Sequence, residues 1–334
     1  MVKKIFILGN GTDWNEKCLQ KMISNQNIYF INKRVPVDGN IKNKLARIYF
    51  SYKINNKIDM PFKILWYRNI KKFIKKNTNS EDKIVVLIYD HNVFGGEISF
   101  LNYLRKNFKD IKLSYIFTNI VKYTSAMEKN YVKNLNIWYD AVFAFDPKDA
   151  QKYNFAYSPL IYDADPNYQK EKVENKDNLV FYVGQAKDRL ESILECFKKL
   201  KKLGIKTDFH IVNVKKEEMK YVNEIVYNKF ITYQDAINSI QNATCLIDII
   251  QKDSTGLTIK TCEAICYDKK LITTNKHIAD YPFYDPKYIR IIESADNIDE
   301  EFFYQNKDVH FSKESKRYFS AECFLERLEK ELKK

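Results

Sequence analysis

The stretch from Cys245 to Thr274 constrains the fold more than any other. Cys245-Leu-Ile-Asp-Ile-Ile250 is an apolar run of strand length. Asp253-Ser254-Thr255-Gly256 follows as a short polar loop, Leu257 to Tyr267 carries helical spacing, and Leu271-Ile-Thr-Thr274 is a second strand. Strand, loop, helix and strand make a βαβ unit, which implies a parallel sheet covered by helices. The loop–helix junction is a natural place for an anion, because the first helical N–H groups lack internal partners and the helix dipole is positive there. Ser254, Thr255 and Thr258 add hydroxyls, Lys260 adds a positive charge one turn in, and Glu263 lies a turn further on the same face. A phosphate site backed by a carboxylate suits a nucleotide, since a carboxylate accepts both ribose hydroxyls. The loop has neither a Walker A nor a G-x-G-x-x-G pattern, so an ordinary solvated βαβ loop fits the spacing equally well.

A chain of 334 residues has room for two domains of ordinary size. No apolar run reaches the roughly 18 residues of a membrane-spanning helix. Met1 to Gly9 has too short an apolar core for a signal peptide and runs into the turn Gly9-Asn10-Gly11, so it reads as a first strand and the expected location is cytoplasmic. The six cysteines, Cys18, Cys196, Cys245, Cys262, Cys266 and Cys323, are scattered without metal-ligand spacing and read as reduced core thiols.

The net charge of +13 is confined: residues 1–80 hold 17 Lys/Arg and 4 Asp/Glu, while the remaining chain is balanced at 39 of each. An excess held in one region points to an anionic partner for that region. Residues 41–76 read as two amphipathic helices broken near Asn55 and Pro61. The second places Phe62, Leu65, Trp66, Ile70, Phe73 and Ile74 on one side and Lys63, Arg68, Lys71, Lys72, Lys75 and Lys76 largely opposite. Basic faces flanked by Trp and Phe suit an anionic lipid surface; a helix packed on its own sheet with solvated lysines has the same pattern.

Strands and helices alternate along both halves. Lys83-Ile-Val-Val-Leu-Ile-Tyr89 is a buried strand followed by Asp90, His91 and, after Gly95-Gly96, Glu97. Polar groups beyond the carboxyl end of a parallel strand sit where α/β folds hold ligands, so Asp90, His91 and Glu97 are acid–base candidates. Residues 163–177 are polar, contain Pro166 and show no apolar period, as a linker does. A second series opens with Asn178-Leu-Val-Phe-Tyr-Val183 and the turn Gly184-Gln-Ala-Lys187-Asp-Arg189. It closes with an amphipathic helix from Ala321 to Lys334.

Two stretches carry a family resemblance. Ser254-Thr-Gly-Leu-Thr-Ile-Lys-Thr-Cys-Glu-Ala264 with Lys269-Lys-Leu-Ile-Thr-Thr-Asn275 is similar to the donor-site helix of bacterial capsule and lipopolysaccharide glycosyltransferases of the GT-B type. Tyr139 to Tyr153 resembles the last strand and helix of their acceptor domain. The resemblance implies an α/β fold of two Rossmann-like domains facing across a cleft: an acceptor domain at 1–162, the linker at 163–177, and a nucleotide-sugar donor domain at 178–310. A helical segment at 311–334 would return to the first domain. It further implies that Glu263 meets the ribose, that Thr255, Gly256 and Leu257 face the diphosphate, and that Gly184 with Lys187 or Arg189 supplies the other turn of the site. Many retaining members carry a second glutamate eight positions before the ribose glutamate; here that position is Thr255. The implied activity is sugar transfer from a nucleotide sugar to a hydroxyl of a glycan or lipid-linked acceptor, with no metal and no cofactor beyond the donor.

Two other classes are weighed against it. A nucleotide-sugar epimerase on the same fold would gather several His and acidic groups near the donor loop, where only His277 is close in sequence. A nucleic-acid-binding protein would place its charge in a recognisable module, and the basic excess lies instead in ordinary helices, so no nucleic-acid partner is expected.

Overall fold

The computed structural model describes residues 3–33, 39–55, 57–58, 60–90, 92, 98–121, 132–165, 168 and 178–334. The chain forms two compact units, one of Met1–Pro159 with Phe324–Lys334 and one of Leu160–Cys323.

The first unit holds a parallel sheet of β1 (Lys3–Leu8), β2 (Ile28–Ile31), β3 (Lys83–Tyr89), β4 (Lys112–Phe117), β5 (Ala141–Ala144) and β6 (Ala156–Tyr157), in the order β2-β1-β3-β4-β5-β6. Central strands of a parallel sheet are covered on both faces, which is why β3 buries an unbroken run from Ile84 to Tyr89. The helix Ile64–Lys76 contributes Tyr67, Ile70 and Ile74 to the core. Asp146 caps the helix Pro147–Tyr153 by accepting the amides of Lys148 and Asp149, with Pro147 in the first turn. The chain's last residues belong to this unit: Phe324 is buried with its ring 5.3 Å from that of Phe143, and Lys3 pairs with Glu329.

The second unit has β7 (Leu179–Gln185), β8 (Lys206–Val212), β9 (Ile225–Tyr227), β10 (Cys245–Asp248), β11 (Lys270–Thr273) and β12 (Ile289–Ile291), all parallel, in the order β12-β11-β10-β7-β8-β9. The helix Leu190–Lys202 stops at Gly204, whose φ of +71° is the left-handed conformation that glycine adopts without strain.

Three features of the two units bear on the expectations drawn from sequence. Trp66, Ile70, Phe73 and Ile74 of the basic helix pack on the core of their own unit, while Ile64 and Leu65 in its first turn are exposed. The polar stretch at 163–177 groups, where described, with the second unit. Tyr267 anchors it by accepting twice: the Asp165 amide donates to Tyr267 Oη, and Tyr168 Oη donates to the Tyr267 carbonyl. Residues 311–323 likewise belong to the second unit, and only Phe324–Lys334 joins the first.

Candidate functional site

Each sheet reverses its strand order once, between β1 and β3 in the first unit and between β7 and β10 in the second, and crevices at such switch points are where open α/β sheets take ligands. The second switch point is splayed. β7 pairs with β8 from Leu179 to Gln185, but with β10 only through Val180 and Phe181. Beyond those residues the two strands part, and polar side chains fill the ends of the gap.

Arg189 braces it. Nη1 donates to the Ile249 carbonyl at 2.7 Å and Nη2 to the Gln185 carbonyl at 2.5 Å, tying the loop after β10 to the end of β7. Two further ties repeat the link, from Lys187 Nζ to Gln251 Oε1 and from the Lys252 amide to Asp188 Oδ2. Burial and the neighbouring Arg189 charge lower the Lys187 pKa. Among the described residues, two buried polar atoms here have no hydrogen-bond partner: Arg189 Nε and the hydroxyl of Tyr182. Burial is the main cause of the Tyr182 pKa rising to about 12; Asp248 adds to it and Arg189 opposes it. A Cβ on Gly184 would stand 3.0 Å from that hydroxyl, so glycine keeps the space above it open.

Asp248, at the end of β10, is buried and accepts the hydroxyls of Thr258 at 2.8 Å and Thr261 at 3.2 Å through Oδ2. Burial raises its pKa, against the hydroxyls and the charges of Arg189 and Lys260. Thr258 also caps the helix Ile259–Cys266, accepting the Lys260 amide. The preceding loop is held from behind, where Asn275 Nδ2 donates to the Gly256 carbonyl at 3.1 Å and to that of Thr255 at 3.4 Å. Ser254, Thr255 and Leu257 are buried with it.

Lys260 and Glu263 differ from the expectation of a cation and a carboxylate turned toward ligand. Glu263 is fully buried, with Oε2 paired to Lys260 Nζ and Oε1 accepting Tyr233 Oη at 2.8 Å; Tyr233 Oη also lies 3.2 Å from Tyr162 Oη. A ribose hydroxyl reaching Glu263 has to displace Tyr233 or Lys260. The structure ties the turn of Lys187 and Arg189 to the loop after β10, links Thr258 to the end of β10 through Asp248, holds Thr255 and Gly256 through Asn275, and pairs Lys260 with Glu263 in a buried cluster. Asp248, Tyr182, Tyr233 and Asn275 escape sequence reasoning. Only Asp248 left a signal, a carboxylate closing an otherwise apolar strand.

In the first unit, Asp90 is buried at the end of β3 and its Oδ1 accepts Thr118 Oγ1 at 2.5 Å. His91 and Glu97 lie outside the described residues. The turn after β1 is built from amides: Asn10 Oδ1 accepts the Thr12 hydroxyl and Asn15 Nδ2, and Asn92 Nδ2 donates to the Gly9 carbonyl at 2.9 Å. Beside it, at the end of β2, a cavity of about 650 Å³ is lined by Asn32, Lys33, Asn69 and Lys72 over Phe30 and Phe73. Among the described residues no three His, Cys, Asp or Glu side chains gather as a metal site, and no helix is long and apolar enough to cross a membrane.

No protein-family model matches the chain, and no curated protein matches it in sequence. Solved structures do match in shape. The S. aureus MnaA structure with UDP superposes with a TM-score of 0.51 at 12% identity, covering 100% of this chain and 97% of that one. The fold is GT-B. The alpha,alpha-trehalose 6-phosphate synthase of Burkholderia multivorans matches with a TM-score of 0.50 at 10% identity, over 100% of this chain and 97% of its own. Against the glycosylation-associated Gap123 complex of Streptococcus agalactiae the TM-score is 0.47 at 14% identity; 82% of this chain is covered, and it spans little more than half, 57%, of that one.

Proposed function

We propose that the protein is a glycosyltransferase that moves a sugar from a nucleotide sugar to a hydroxyl of a cell-surface glycan intermediate, of capsule or lipopolysaccharide type. The observation that carries the donor site is the splayed β7–β10 switch point, where Tyr182 Oη and Arg189 Nε are buried donors without hydrogen-bond partners among the described residues, in the same unit as a Thr258-capped helix. A departing nucleoside diphosphate is an anion, and fixed donors with adjacent positive charge stabilise it as the glycosidic bond breaks. Lys187 and Arg189 supply that charge in this reading, without a metal ion. The UDP held by the like-folded MnaA is consistent with a nucleoside diphosphate as the recognised part.

The acceptor hydroxyl loses a proton as it attacks the anomeric carbon, and the base is proposed among Asp90, His91 and Glu97. Asp90, engaged with Thr118, is better suited to orienting a neighbour than to taking the proton itself. The amide-lined turn after β1 and the cavity beside it would hold the acceptor glycan, whose hydroxyls match Asn and Lys donors. The acceptor is proposed to reach the enzyme at the inner membrane face, through residues 41–76. Thermal unfolding with a panel of nucleoside diphosphates tests the donor site: stabilisation by one of them, with hydrolysis of its sugar conjugate, is the expected result. A panel in which none shifts the melting temperature overturns the reading.

A further inference from the structure

We infer that the exposed apolar side chains of the helix Asn40–Tyr49 dock on an anionic lipid bilayer together with Phe62 and Leu65, with Ile41, Leu45, Ile48, Phe62 and Leu65 entering the interface. This deepens the membrane clause of the proposed function, and it holds or fails apart from sugar transfer. The helix Asn40–Tyr49 sets Ala46 inward, with Phe50 buried beyond it, while Ile41, Leu45 and Ile48 are 76%, 54% and 59% exposed. Their spacing of four and three residues puts them in one stripe, turned to solvent where an ordinary surface helix turns it to the core. Ile58, Phe62, Ile64 and Leu65 are exposed as well, so seven of the twelve exposed large hydrophobic residues of the described chain fall within 25 residues. A concentration of this kind marks an interaction surface, since scattered single residues are the norm elsewhere.

The charges choose the occupant. Lys42, Lys44 and Arg47 on the same helix and Lys57 after it are exposed, and residues 41–76 contain eleven Lys/Arg against the single acid Asp59. A symmetric contact with a second copy would press this surface against itself, cation to cation. Acidic headgroups neutralise it while the apolar stripe enters the acyl boundary, as amphipathic helices lying in the interface do. The contact therefore differs from the one the lysine-rich helix pattern implied: the inserting residues come from the preceding helix, from Phe62 and from Leu65 in the first turn of the lysine-rich helix, not from Trp66, Ile70 or Phe73.

Sedimentation of the full chain with vesicles tests it. Binding to phosphatidylglycerol-containing vesicles, weakened by salt and absent with phosphatidylcholine alone, is expected. Leu45→Ser with Ile48→Ser should lower the partition coefficient at least roughly tenfold, and Lys42→Gln with Lys44→Gln should lower it less while flattening the salt dependence. Unchanged circular-dichroism melting of the variants verifies folding, and nucleoside diphosphate stabilisation in the same samples reports the donor site separately. Wild-type protein left in the supernatant with anionic vesicles overturns the proposal. So does serine-variant binding equal to wild type, or a wild-type dimer that the serine pair dissolves.

Discussion

The two switch points share a strand reversal and differ in how far their ladders run. In the first unit β1 and β3 stay paired to Leu8 and Ile88, the ends of the strands. The turn beyond them is closed by short amides, Asn10, Asn32 and Asn92, that satisfy main-chain groups. In the second unit the β7–β10 ladder stops after two residues, and charged side chains take over the tie. A closed ladder with amide trim offers side-chain amides that suit hydroxyl-rich ligands. A splayed one creates buried space in which full charges and unpartnered donors persist, and such space suits an anion.

The comparison breaks first at Glu263. Glu263→Ala leaves the Lys260 ammonium buried and unpaired, so a loss of roughly 3–5 kcal/mol in unfolding free energy is expected from denaturant titration. A variant as stable as wild type would show that the buried cluster is not what supports the splayed loops. Next, Arg189→Ala cuts both carbonyl ties and should cost roughly 1.5–3 kcal/mol, with a donor KM raised at least tenfold. The matched change in the first unit, Asn92→Ala, should cost about 1 kcal/mol and leave nucleotide affinity untouched. Equal effects of the two on nucleotide binding would erase the distinction between the switch points.

Smaller effects sharpen it. Asp248 holds its proton more tightly folded than unfolded, because burial raises its pKa. Its contribution to stability is therefore full below the ordinary carboxylate range and declines as pH rises through the raised folded value. Melting temperatures across this window should show that decline in the wild type and a flatter profile in Asp248→Asn; parallel profiles would refute it. Gly184→Ala should be mildest, below about 1 kcal/mol, since the new methyl needs only a small shift of the Tyr182 hydroxyl. Calorimetry should still show a severalfold loss in nucleoside diphosphate affinity.

Much of the fold was legible because parallel strands are buried on both faces and write themselves as apolar runs, as Lys83–Tyr89 and Cys245–Ile250 do. Punctuation was equally local: Asp146-Pro147 opened a helix and Gly204 closed one. The candidate turns at Gly184–Arg189 and Asp253–Gly256 stood out because they follow such strands. Their internal wiring was not, because it depends on contacts between residues far apart in the chain. Arg189 meets the Ile249 carbonyl, and Tyr233 meets Glu263, with no local pattern to announce either. The helix Asn40–Tyr49 shows a related limit: periodicity reveals an apolar stripe but not whether it faces the core or the solvent.

The return of Phe324–Lys334 to the first unit sets an order of events during synthesis. The first unit emerges from the ribosome with the place for Phe324 and Leu328 still empty, and it waits for the entire second unit to be translated before its core is whole. Until then Phe143 lacks the ring it meets in the finished protein. The second unit, by contrast, has all of its strands before the chain turns back, so the later half of the sequence is the half able to finish folding first.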